Sequence, residues 1–122
     1  MLKENKLKQM LSNGLTEKVA IYVPSTVNVN QTIDNSQYTS KVSIELSRLF
    51  GGATQTNAIG SWYSKDLNKL VTEEVTIVYS NCTKSDLDKH LLKVVDIASR
   101  LCNEMSQECI SLEINGVLHF VD

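Results

Sequence analysis

The chain has one proline, Pro24, and five glycines in 122 residues. A proline-rich linker, a glycine-patterned fibre and a low-complexity tract are thereby excluded. Arginine is as scarce, with Arg48 and Arg100 alone, so the side chain that grips phosphates and guanine edges bidentately is nearly missing. Histidine is confined to His90 and His119, neither at a recognised metal-ligand spacing, and no metal or cofactor is expected. The three cysteines, Cys82, Cys102 and Cys109, are odd in number and lack CxxC spacing, which speaks against a disulfide framework or zinc knuckle and for reduced thiols. No apolar run approaches 18 residues, and the first eleven residues, MLKENKLKQML, hold no continuous apolar stretch of seven. The expectation is a cytoplasmic protein with no membrane partner.

Charge is low and balanced. Twelve basic and 14 acidic side chains leave a formal −2, so no global field draws in nucleic acid, and nucleic-acid binding is not expected. Apolar residues at 42% against 21% charged are ordinary for a folded domain. At this length one core suffices, and the division expected is a helical extension over 1–14 and one α+β domain over 15–122.

Periodicity supplies the elements. Leu7, Met10 and Leu11 share a short helical stripe that is docked or frayed, ended by Asn13-Gly14. Val19, Ile21 and Val23 alternate as a first strand before Pro24. Tyr38, Val42, Leu46 and Leu49 stripe a helix over 36–50, started by Asp34, Asn35 or Ser36 and stopped by Gly51-Gly52. The segments 53–64 and 70–79 form a hairpin around Asp66-Leu67-Asn68, with Gly60 a candidate bulge. Thr83 or Ser85 opens a second helix whose face is Leu87, Leu91, Val94, Val95, Ala98, Leu101, Cys102 and Met105. Ile110, Leu112 and Ile114 alternate next, and Asn115-Gly116 is a type I′ turn into Val117–Val121. The order βαββαβ, with a C-terminal edge strand and a short N-terminal helix, predicts a ferredoxin-like two-layer sandwich, helices on one sheet face and the other face open.

No catalytic constellation is visible. His90 reads as a solvated helix residue and His119 as an outward strand residue. Glu73 and Glu74, adjacent in a strand, point to opposite faces and read as surface charge. Phe50-Gly51-Gly52 follows a helix rather than a strand and is a helix cap, not a phosphate loop. Cys82 precedes a helix without a histidine near it in sequence, and reads as an incidental or buried thiol. The feature that local structure explains least is the segment 25–36, STVNVNQTIDNS, a long polar connection. Its Asn28, Asn30, Gln31, Thr32 and Asn35 offer neutral donors and acceptors suited to a small polar ligand or a protein surface. Trp62 and Tyr63 join this candidate binding set through an aromatic cluster on the open sheet face, although core packing also accounts for Trp62.

The stretches VPSTVNVN over 23–30, LFGGAT over 49–54, AIGSW over 58–62 and MSQE over 105–108 resemble small uncharacterised proteins carried by phages, plasmids and integrated elements of Gram-positive bacteria. That resemblance implies a mobile-element setting, in which short accessory proteins counter host immunity or assist transfer. The expectation is a non-enzymatic phage or mobile-element protein with no catalytic residues, an anti-defence inhibitor that binds and sequesters a host protein, with a possible homodimer through the open sheet face. The alternative is a small enzyme, or a small-molecule- or nucleotide-binding protein, on the same scaffold.

Overall fold

The structure, a computed structural model, describes residues 3–28 and 30–122. Met1 and Leu2 of the expected first helix and Val29 of the polar segment lie outside the described residues. The elements run α1 (Glu4–Met10), β1 (Glu17–Pro24), β2 (Thr26–Val27), β3 (Gln31–Thr32), α2 (Ser36–Phe50), β4 (Thr54–Ser64), β5 (Lys69–Cys82), α3 (Lys84–Glu104), β6 (Ile110–Ile114) and β7 (Val117–Val121). The fold is α+β, with a five-stranded antiparallel sheet in the order β4-β5-β1-β6-β7 and a separate two-stranded β2-β3 hairpin. No described helix is long and apolar enough to cross a membrane.

The strand alternation builds the core. Val19, Ile21 and Val23 on β1, Val78 on β5 and Ile110 and Leu112 on β6 face α2 and α3, meeting Val42, Leu46, Val94, Ala98 and Leu101. Both helices end as their caps dictate. Thr83 Oγ1 accepts the Asp86 N–H at 3.1 Å, and Gly51, at φ +88°, closes α2 by donating to the Ser47 carbonyl. Asn115 and Gly116 both have positive φ, as a type I′ turn requires. The Asn115 side chain also accepts the Lys18 N–H at 2.8 Å, fixing the β6-β7 hairpin to β1. Arg100 of α3 bonds Glu45 of α2 at 2.6 Å and Asp96 at 3.0 Å, bridging the two helices at their exposed edge.

Five expectations are corrected. Gly60 makes no bulge, because the β4-β5 pairing runs without interruption from Thr54↔Tyr79 to Ser64↔Lys69. The segment 25–36 is not an unstructured loop: among its described residues Thr26–Val27 pair with Gln31–Thr32 as the β2-β3 hairpin, and Asn28 has φ 51°. On α3, Leu91 and Val95 are exposed and Ile97 is buried, since a stripe on a helix surface is wider than the contact it makes with the sheet. Trp62 does not pack in the core and is 50% exposed. His90 is not freely solvated. It packs edge-on against Phe50, ring centroids 5.8 Å apart, and its Nδ1 is buried without a hydrogen-bond partner.

α1 buries no residue, so its Leu7 and Met10 stripe is neither docked nor part of the core. Burial pushes the thiols of Cys82 and Cys102 above the usual range, and nearby acidic groups reinforce the shift at Cys82. Cys109 is exposed. Titration of the folded protein with a chromogenic disulfide reagent at neutral pH is therefore expected to label Cys109 at once and the other two thiols only on denaturation. Rapid reaction of all three would contradict the packing around α3.

Candidate functional site

Beyond Val75, β5 leaves β1 and continues paired with β4 alone. Where the two separate, a cleft of about 610 Å³ opens between the start of α2 and the β4-β5 hairpin, lined by Ser25, Asn35, Thr39, Asn57, Glu74 and Thr76 among others. Each wall is fixed by a bond that the sequence does not announce. Ser25, buried just past the end of β1, donates its hydroxyl to the Glu74 carbonyl at 2.7 Å, standing in for the next rung of the β1-β5 ladder. That bond sets the backbone carrying Glu74, whose side chain is on the same strand face as Thr76 and Val78.

Asn35 sits at the α2 N-cap but turns its amide away from the helix. Its Nδ2 donates to the Pro24 carbonyl at 3.0 Å, to Thr76 Oγ1 at 3.3 Å and, weakly, to the Val23 carbonyl at 3.4 Å. Thr76, 8% exposed, passes the polarity on by donating to Asn57 Oδ1 at 3.3 Å. The helix start is satisfied by Asp34 instead, whose Oδ1 accepts the Ser36 N–H at 3.0 Å and the Ser36 hydroxyl. These two bonds hold the Asp34 carboxyl below its ordinary range.

The charged lining is acidic: Asp34 and Glu74, with no lysine, arginine or histidine among the lining residues. A helix N-terminus is a ready anion site, but this one is already occupied by Asp34 of the same chain. The cleft thus disfavours phosphates and suits a neutral or cationic polar molecule. Among the described residues, no cluster of three or more metal-ligating side chains is found.

No protein-family model and no curated sequence matches the chain. Solved structures do. A phage SAM lyase in complex with S-methyl-5'-thioadenosine aligns at TM-score 0.58 and 17% identity, covering 88% of this chain and 87% of that one. A phage SAM lyase in the apo state aligns at 0.53 and 17%, covering 84% and 83%. A Bacillus cereus protein related to NIF3 aligns at 0.50 and 12%, over 87% of this chain but 25% of that one. The fold resembles that of a phage enzyme.

At these identities the likeness is one of fold. It fits the phage setting and overturns the expectation of a non-enzymatic sequestering protein, because the matched phage structures are of a lyase, one of them holding a small nucleoside. Of the two readings, the likeness favours the small-enzyme alternative.

The structure divides the seven expected binding residues. Asn35 lines the cleft. Asn28, Asn30, Gln31 and Thr32 are exposed on the β2-β3 hairpin and do not line it. Trp62 and Tyr63 lie near the far end of the β4-β5 ribbon on opposite faces. Glu74, Thr76 and Asn57 were missed. The signal available was the pair Glu74 and Thr76, polar residues on the side of β5 that carries the core residues Val78 and Cys82 and the buried Ser80.

The β2-β3 hairpin is a wall-builder rather than a binding loop. Gln107 Nε2 donates to the Thr26 carbonyl at 2.8 Å and the Met105 carbonyl at 3.3 Å, and the Asn28 N–H donates to the Met105 carbonyl at 3.1 Å. Gln107→Ala leaves the Thr26 carbonyl without that donor and is expected to cost about 1–2 kcal/mol. Urea denaturation measures this, and an unchanged midpoint would show that the hairpin is held by other contacts.

Proposed function

We propose that this chain is a small enzyme of the lyase type that cleaves an adenosine sulfonium such as S-adenosylmethionine, in the cleft between α2 and the β4-β5 hairpin. The carrying observation is the charge of that cleft: carboxylates without a single basic side chain, at a helix start sealed by Asp34. A sulfonium amino acid brings a sulfonium and an ammonium and no phosphate, which such a lining accepts. The phage lyase of similar fold, solved with S-methyl-5'-thioadenosine, supports the same substrate class.

The chemistry needs little from the protein. The substrate's own carboxylate oxygen bonds to the carbon γ to its α-carboxyl, the S–Cγ bond breaks with its electron pair going to sulfur, and a lactone leaves S-methyl-5'-thioadenosine behind. No water or co-reactant enters. The catalyst's task is to hold a flexible chain curled for ring closure, with carboxylate oxygen and Cγ in near-attack geometry.

Differential binding assigns Glu74. The sulfonium charge declines as the S–Cγ bond breaks, so a carboxylate against sulfur would stabilise the ground state more than the transition state and slow the reaction. The ammonium keeps its charge throughout, so a carboxylate against it orients the chain without that penalty. Glu74 therefore takes the ammonium.

The sheet order and the two helices on one face fit the ferredoxin-like sandwich expected from the sequence, with 15–122 as the unit carrying the site and 1–14 as its extension. Degradation of a methyl donor by a phage protein would also serve the anti-defence role implied by the mobile-element resemblance. Incubation with S-adenosylmethionine followed by chromatography is expected to yield S-methyl-5'-thioadenosine in proportion to protein. Absence of both turnover and calorimetric binding of either compound would refute the assignment.

A further inference from the structure

A threonine at position 76 is unexpected on packing grounds. It is 8% exposed, two residues before Val78 of the core, and valine would fill the same space in a strand without a polar atom to satisfy. Its hydroxyl is used twice, accepting from Asn35 Nδ2 at 3.3 Å and donating to Asn57 Oδ1 at 3.3 Å. The direction of this relay is fixed at its source. The Asn35 amide is committed by the Pro24 carbonyl at 3.0 Å, so Thr76 Oγ1 must accept from it and spend its one proton on Asn57.

The relay therefore orients the Asn57 carboxamide. Its oxygen faces Thr76 with one lone pair to spare, and its Nδ2 hydrogens have no partner among the described protein groups while the residue lines the cleft. A carboxamide held with both N–H donor and C=O acceptor available is the group that pairs bidentately with an adenine edge, donating to a ring nitrogen and accepting from the exocyclic amine.

On the reading that the cleft takes an adenosine sulfonium, we propose that Asn57 is the base-specificity residue and that Thr76, fixed by Asn35, is the positioning residue that sets its orientation. Without Thr76 the carboxamide can flip, and a 6-oxo base, which exchanges the exocyclic donor for an acceptor, becomes as acceptable as adenine.

The test compares S-methyl-5'-thioadenosine with S-methyl-5'-thioinosine by calorimetry. The unsubstituted protein is expected to prefer the adenosine roughly 10- to 100-fold, the range of one good bidentate pair. Thr76→Val and Asn57→Ala should each reduce that preference to within about threefold. Thr76→Ser keeps the hydroxyl and should restore the preference. A merely structural threonine gives the reverse pattern, because Val keeps the buried methyl and the side-chain shape whereas Ser removes the methyl. Asn57 is exposed, so Asn57→Ala still reports if Thr76→Val fails to fold. Equal affinity of the unsubstituted protein for the two nucleosides, or full preference surviving in Thr76→Val or Asn57→Ala, overturns the relay and leaves the enzyme assignment standing. Binding of neither nucleoside by the unsubstituted protein overturns the relay, and with no turnover of S-adenosylmethionine beside it overturns the assignment as well.

Discussion

Glu74→Gln is expected to raise KM for S-adenosylmethionine roughly 10- to 100-fold, the equivalent of one charge-assisted hydrogen bond of about 1.5–3 kcal/mol. kcat should change by less than about threefold, because an interaction made equally in ground and transition states shows itself in KM. Affinity for S-methyl-5'-thioadenosine should not move at all, since that molecule lacks the amino-acid portion. Folding should also be spared: the side chain is exposed, and such substitutions usually fall within about 0.5 kcal/mol. Steady-state kinetics beside calorimetry decide among the outcomes. A collapsed kcat with unchanged KM would make Glu74 a participant in bond breaking, and an unmoved KM and kcat would place the substrate elsewhere.

This prediction and the base-specificity proposal act on opposite ends of one ligand. Glu74 answers to the amino-acid end and Asn57 to the base, and their side chains share the helix-facing side of the β4-β5 pair, where Glu74 opposes Ile59 and Thr76 opposes Asn57. Disturbing one should leave the other's readout intact, as separate contacts do when they share no partner. Coupled losses would instead point to a general collapse of the cleft.

The helices, the first strand and the two larger hairpins are legible in the sequence because each carries its own period. α2 spans Ser36–Phe50, the range that Tyr38, Val42, Leu46 and Leu49 predict, and the Asn115-Gly116 turn follows from its backbone requirement alone. The cleft is not legible in the same way. Asn35, Asn57 and Thr76 come from three separate stretches of chain, and only the β1-β5 and β4-β5 registers bring them together. Apart from the place of Thr76 on the core-facing side of β5, nothing in the types of these residues singles them out from the other polar residues of the chain.

The polar segment 25–36 misled for a related reason. Strands of two residues carry no detectable alternation, and the bond that organises them comes from Gln107, 81 positions from Thr26. Composition marked the segment as exposed recognition surface, whereas its residues Ser25 and Asn35 serve as struts. Trp62 shows the converse: an aromatic in a strand suggests a core, but Trp62 is three positions from the helix-facing Ile59 and so points to the sheet face away from the helices, where it stays half exposed.

Ile21→Ala is the substitution expected to cost most in stability. Ile21 is fully buried at the centre of β1, opposite Val78 on one side and Leu112 on the other. Removing so large a group from a site walled by two strands and two helices leaves a cavity that they cannot close, at about 2–5 kcal/mol. Against a total of about 5–15 kcal/mol for an ordinary domain, that is a large share, and Tm should fall by roughly 10–20 °C. Phe120→Ser supplies the contrast. Phe120 is 69% exposed on the sheet face away from the helices, and in a free chain its replacement should stay within about 0.5 kcal/mol. If calorimetry found the two losses comparable, that face would have to be covered in solution by another molecule or a second copy. If Ile21→Ala stayed folded below its lowered Tm and still bound S-methyl-5'-thioadenosine with unchanged affinity, the end of β1 would keep its carbonyls in place for Asn35 even with its centre hollowed. Stability and site geometry would then be separable along a single strand.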